Sequence, residues 1–116
     1  MAEGLLLVYT ECPEGQDAEF NDWYDNIHAP DLLKVPGIVR VQRFRLHGEA
    51  AKQVGRDGVP RMFTYLCVFE LESQDDVTRV KQEIERTREA RADRQMAGVV
   101  GAMPGTYMAV SPPQVR

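Results

Sequence analysis

Thiols and imidazoles are scarce in this sequence, which holds two cysteines, Cys12 and Cys67, and two histidines, His28 and His47. Cys12 stands beside Pro13 in a turn and Cys67 lies inside an apolar run, so neither a disulfide framework nor a zinc site is indicated. The carboxylates near the histidines follow no ligand spacing, which argues against a resident metal. Gly-x-Gly-x-x-Gly and phosphate-loop patterns are missing, and no cofactor is expected. No segment approaches the roughly 20 apolar residues that span a bilayer. The opening Met-Ala-Glu-Gly lacks the basic region and apolar stretch of a signal peptide. The expectation is a cytoplasmic protein with no membrane partner. Excess positive charge is missing too. The net charge is −4 and the aromatics are not interleaved with a basic stripe, so a nucleic-acid partner is not expected.

What is present suits one globular core. The chain has 116 residues, 43% of them hydrophobic and 28% charged, and a single domain over residues 1–116 is expected. Leu5 to Thr10 is a short apolar run that reads as a buried strand, ended by Pro13 and Gly15. Asp17 suits a helix N-cap, and Phe20, Trp23, Tyr24 and Ile27 follow at helical spacing as one apolar face. His28 lies on or beside that face at the last turn. Pro30 predicts a break or kink at Ala29, and Pro36-Gly37 a tight turn. Ile38 to Leu46 reads as a charged edge strand, and His47 to Arg61 as a long polar loop, mobile and bordering a pocket entrance. Met62 to Leu71 is an almost wholly apolar strand. Ser73 with Asp76 opens a second helix with a stripe of Val77, Val80 and Ile84. The charges from Arg86 to Arg94 alternate in sign and read as a solvated helix face. Thr106 to Val110 is a short last strand.

The order is therefore β-α-β-β-α-β. Two helices cannot cover both faces of a four-stranded antiparallel sheet, so they belong on one, as in an α+β ferredoxin-like fold. That topology puts the two most apolar strands in the centre and the charged second strand at an edge. The other sheet face needs a cover, and a second copy of the chain is the simplest one.

The segment Phe20-x-x-Trp23-Tyr24-x-x-x-His28-x-Pro30-Asp31-Leu32-Leu33-x-x-Pro36-Gly37, followed by Val41-Gln42-Arg43-Phe44, resembles the signature of EthD-type proteins of the dimeric α/β-barrel superfamily. The resemblance implies a homodimer whose sheets form a barrel. It also implies a pocket between each sheet and its helices or inside the barrel mouth. Relatives in that superfamily include polyketide cyclases, muconolactone-type isomerases, cofactor-independent monooxygenases and haem proteins. The resemblance narrows the fold far more than the chemistry.

His28 is the sharpest candidate, because imidazole titrates near neutral pH and suits general acid/base work. Asp25 or Asp31 would orient it. The alternative is a histidine that braces the helix end through backbone carbonyls. Tyr9, Tyr65 and Tyr107 are candidates for binding a hydroxyl or carbonyl, or else core phenols. Trp23 and Tyr24 suit a pocket wall. Arg43 could clamp a carboxylate through its forked guanidinium, or lie in solvent on its edge strand. Gln42, Arg43 or a tyrosine would stabilise an enolate. Cys67 reads as an inert buried thiol. The leading expectation is a cofactor-free cyclase, dehydratase or isomerase acting on a hydrophobic, oxygenated, polyketide-like or aromatic substrate. A cofactor-free monooxygenase, a haem protein with His28 as axial ligand, and a non-catalytic small-molecule-binding or accessory protein are the alternatives.

Overall fold

The computed structural model describes residues 3–47, 53–54, 60–61 and 63–116. Strand β1 (Gly4–Glu11) leads to helix α1 (Asp17–Trp23), a π-helical turn (Tyr24–His28) and helix α2 (Ala29–Leu33). Strand β2 (Ile38–Arg45) follows, then a two-residue ladder of Gln53–Val54 on Pro60–Arg61, then β3 (Tyr65–Leu71). Helices α3 (Asp76–Arg86) and α4 (Arg88–Arg91) and a 3-10 turn (Ala92–Arg94) precede β4 (Val100–Met108). The main sheet is antiparallel in the order β2-β3-β1-β4. This is the expected ferredoxin-like α+β arrangement. The apolar first and third strands are central and the charged second strand is an edge.

Alternation along the strands decides which residues meet the helices. Leu6, Tyr65, Cys67, Phe69 and Leu71 are buried on one face, against Phe20, Tyr24, Leu32, Val80 and Ile84. Phe69 is wholly buried, and cutting such a phenylalanine back to alanine costs about 3 to 5 kcal/mol. The opposite face carries Leu5, Leu7, Tyr9, Leu66 and Val68, all only half-buried, with Phe44 and Tyr107 exposed. The Pro36-Gly37 turn lies close under α3. Gly37 has φ +102° and an added Cβ would stand 3.0 Å from Val80 Cγ2, so glycine is required there twice over. The Asp76 carboxylate accepts the Ser73 N–H at 3.1 Å, which makes half of the expected capping box.

Several element ends differ from expectation. Asp17 is the first helical residue, with Gln16 at the cap position. The chain does not break at Ala29, which keeps helical φ −62° and ψ −44°. The Ala29 N–H instead bonds the Tyr24 carbonyl, one residue further back than in an α-helix. That wider turn lets the helix run through Pro30, whose ring would clash with a regular preceding turn. Strand β3 starts at Tyr65, because Thr64 turns aside to bond the Glu11 carboxylate through its N–H at 2.8 Å and its hydroxyl. Strand β4 starts at Val100 and ends at Met108, where Thr106 to Val110 was expected. Its early part pairs with β1 beyond a register shift between Leu7 and Tyr9. Most of the loop from His47 to Arg61, with its expected mobility and pocket contact, lies outside the described residues.

Candidate functional site

A cavity of about 320 Å³ opens between the sheet and the helices. Leu6 and Val8 of β1 and Phe69 of β3 form its floor. Tyr24, His28 and Leu32 form one wall, and Ile84, Arg88, Arg91, Ala92 and Gln95 form the other. Apolar side chains dominate, with a few polar groups on one side, which is the usual make-up of a small-molecule site.

His28 is held by its own helix. Its ring stacks on Trp23 (centroids 4.7 Å, planes 19° apart) and meets Tyr24 edge-on at 4.8 Å. The Trp23 indole N–H donates to the Arg94 carbonyl at 2.7 Å, which fixes the ring that His28 rests on. Nδ1 of His28 is buried and has no hydrogen-bond partner among the described residues. The half-buried ring borders the cavity. Burial first, and then the Arg91 charge, push the imidazole down to about 4, and Asp31 opposes them weakly. His28 is thus neutral at neutral pH.

Neither expected carboxylate orients it. Asp25 faces solvent and accepts from Arg43 Nη1 at 2.9 Å. Asp31 accepts from Arg94 Nη1 at 2.9 Å, with Lys34 at 3.6 Å. Both aspartates are drawn away from the ring by guanidinium groups, one from β2 and one from the segment after α4. The tyrosines expected opposite His28 are elsewhere as well. Tyr9 lies on the open sheet face beside Phe63, at 6.0 Å between rings, and Tyr107 is an exposed residue of β4. Only Tyr24, from the helix, shares the cavity. Burial pushes the Cys67 thiol up to about 11, so it is no nucleophile at neutral pH.

The other expected residues gather in a second cavity of about 560 Å³, between β2 and the first helical segments. Asp25, Gln42, Arg43 and Tyr65 all line it. Arg43 is neither in solvent nor free to clamp a ligand. Its guanidinium lies 4.5 Å from the Tyr24 ring centre, 5.3 Å from Phe20 and 5.4 Å from Tyr65. It donates to Asp25 and, at 2.8 Å, to Asn21. The Tyr65 hydroxyl donates to Asp17 at 2.5 Å and accepts from Asn21 at 3.4 Å. Gln42 is exposed and accepts from Arg40 at 3.1 Å. Sequence reasoning divided the molecule wrongly here. It placed His28 and Arg43 in one site, and Tyr24 stands between them as a wall.

It also missed Arg88, Arg91 and Gln95. Their alternation with acids resembles a solvated face, and only the chain's turn at Thr87 brings them over the cavity. Among the described residues no group of three or more His, Cys, Asp or Glu side chains could hold a metal, and no helix is long and apolar enough to cross a membrane.

No protein-family model matches the chain, and no curated protein does. Solved structures do. The chain is similar to an EthD-like protein from Ralstonia eutropha, with TM-score 0.62, 16% identity, and 100% of this chain and 99% of that one covered. It is similar to a proposed monooxygenase from Shewanella loihica, with TM-score 0.60, 18% identity, and 97% and 99% covered. It is also similar to SnoaB, a cofactor-independent oxygenase from Streptomyces nogalater, with TM-score 0.55, 21% identity, and 96% and 97% covered. At such identities the likeness is one of fold: the chain has the ferredoxin-like α+β fold of EthD-like proteins.

Proposed function

We propose that the protein takes a hydrophobic, oxygenated small molecule into the cavity between sheet and helices, and that His28 removes a proton from it there. The observation that carries this reading is a neutral, half-buried imidazole lining a mostly apolar cavity. The proton passes from an acidic O–H or C–H of the substrate to Nε2, and the electron pair stays on the substrate as a phenolate or enolate. A base pushed down to about 4 is always unprotonated near pH 7 but weak. It suits phenols and 1,3-dicarbonyl compounds, whose protons are already acidic, better than simple ketones. An enolate of this kind is the shared first step of cyclisation, dehydration, isomerisation and cofactor-free reaction with dioxygen.

The reading includes a homodimer. The half-buried apolar residues of the open sheet face need a cover, and a second copy supplies one without further chains. Light scattering is expected to give about twice the 13.1 kDa chain mass. The enzymatic test is a panel of phenolic and 1,3-dicarbonyl aromatics in air, followed by absorbance and an oxygen electrode. Turnover that disappears in His28→Ala, with binding kept, is the expected result. Oxygen uptake would mark a monooxygenase, and turnover without uptake a cyclase, dehydratase or isomerase. One observation favours a second reading, a non-catalytic binding or accessory protein: nothing among the described residues bonds Nδ1 to fix the tautomer, as acid/base work usually requires. Ligands that bind and never turn over would select it.

A further inference from the structure

We infer that Arg91 is the specificity-determining residue of this cavity and that its ligand carries an anionic oxygen, a carboxylate or an acidic phenol, directed at the α4 wall. This rests on the cavity between sheet and helices being the binding site. It does not require that any reaction occur there.

Arginines on and after α3 are mostly matched by carboxylates. Arg86 is matched by Glu83 at 2.8 Å, Arg88 by Glu85 at 3.0 Å, and Arg94 by Asp31 at 2.9 Å. Arg91 alone of these four has no carboxylate within salt-bridge distance among the described residues. It is also the least exposed of them, a half-buried side chain where the other three are exposed. A half-buried guanidinium without a counter-charge is unfavourable unless its hydrogen bonds are placed. Part of its donor set is spent on the end of α3 and the turn after it. Nη2 donates to the Ile84 carbonyl at 2.7 Å and Nε to the Thr87 hydroxyl at 3.3 Å. Those bonds use neutral oxygens, and Asp31 and Glu85 act on the charge only from beyond salt-bridge distance. The two bonds also hold the side chain in one place, which lowers the entropy lost when a ligand binds.

The surroundings decide where the missing anion belongs. Arg91 also borders a surface groove on the far side of α4, with Asp31 and Glu83. Both acids there are already engaged by Lys34, Arg94 and Arg86. Solvent screens what remains on that outer side. On the inner side Arg91 joins Leu6, Val8, Leu32, Phe69 and Ile84, whose apolar surfaces screen little. A charged hydrogen bond is strongest where the dielectric is low. Arg88 stands beside it, but its guanidinium and its Glu85 partner are both exposed, so Arg88 adds attraction without fixing an orientation. A ligand with its carbon skeleton on Phe69 and its anionic oxygen on Arg91 would bring its reacting edge toward His28 on the opposite wall.

The test is a binding comparison between two probes of the same shape, 2-naphthoate and 2-naphthamide, by calorimetry at pH 7. The carboxylate is expected to bind about tenfold more tightly or better, the value of one well-placed charged hydrogen bond. In Arg91→Gln the preference should fall to within about twofold with the amide affinity unchanged, and Arg91→Lys should keep part of it. Damage to α4 would weaken both probes alike, so the amide serves as the folding control. Equal binding of the two probes to the wild type overturns the assignment, as does a preference that survives in Arg91→Gln. If neither probe binds while 2-naphthol turns over, the cavity reading stands and the anion assignment fails. If none of the three binds, both fail.

Discussion

The Arg43 cluster and the His28 cavity are built from the same kinds of side chain and stand on either side of Tyr24. They differ in how completely those side chains are partnered. Around Arg43 each polar group meets another: Asp25, Asn21, Tyr65 and Asp17 form a continuous hydrogen-bonded chain. Around the cavity two polar groups lack a full set of partners. Nδ1 of His28 bonds nothing, and Arg91 has no counter-ion among the described residues. A saturated network gains little from a ligand, because a ligand must displace bonds as good as those it makes. An unsaturated one improves when filled. The sequence pointed to both regions, and this difference separates the scaffold from the site.

The comparison breaks most sharply on turnover. His28→Ala is expected to lower the rate on a phenolic or 1,3-dicarbonyl substrate by about 100- to 10,000-fold, the usual worth of a positioned base. Arg43→Met should stay within several-fold of wild type once corrected for folded fraction. An Arg43 variant that stays folded and still loses turnover would move the site to the other side of Tyr24.

Stability against pH is the next largest effect. An unfolded chain protonates this imidazole near its ordinary 6.5, whereas the folded one resists until about 4. The contribution is complete above pH 6.5 and is lost as the pH falls toward 4, by at most about 3 kcal/mol at roughly 1.4 kcal/mol per unit. Urea titrations across that window should show the slope in wild type and a shallower one in His28→Gln. Parallel slopes would mean that the ring is already wet.

Arg43→Met should destabilise by about 2 kcal/mol, from two charged hydrogen bonds and three ring contacts, partly replaced by the new thioether. Asp25 is the exposed end of that cluster, so its coupling to Arg43 in a double-mutant cycle should stay below about 1 kcal/mol. Tyr65→Phe is the smallest change, at about 1 kcal/mol, since only its hydroxyl bonds to Asp17 and Asn21 are lost. Denaturant midpoints measure all three.

The fold was legible because its signals are local. Short apolar runs marked β1 and β3, the charges of β2 marked an edge, and Phe20, Trp23 and Tyr24 marked a buried helix face. Strand β4 was cut short because Gly101, Pro104 and Gly105 interrupt the apolar pattern, and its early pairing depends on β1 rather than on its own residues. The site was less legible because its partners are distant in sequence. Asp25 lies near His28 along the helix, yet Arg43 claims it from β2. Asp31 is claimed by Arg94 from beyond α4. A spacing rule sees which residues a helix turn brings together and cannot see a guanidinium arriving from another strand. Arg91 was hidden for the same reason, since a pattern of alternating charge does not say which charge will be left over.

The π-helical turn has a consequence for the phase of the whole first helical segment. An α-helix advances about 100° per residue, so Leu32 would point about 120° away from Phe20 and His28 about 80° away. A wide turn takes up one residue without advancing the angle, and both offsets shrink to about 20°. The extra residue thus acts like a spacer in a gear train. It brings Phe20, His28 and Leu32 onto one line facing the sheet, although their spacing in the sequence does not put them there. Removing a single residue such as Asn26 would leave His28 seven and Leu32 eleven residues after Phe20, spacings at which a regular helix keeps all three within about 20° of one line, so the face toward the sheet would survive without the wide turn.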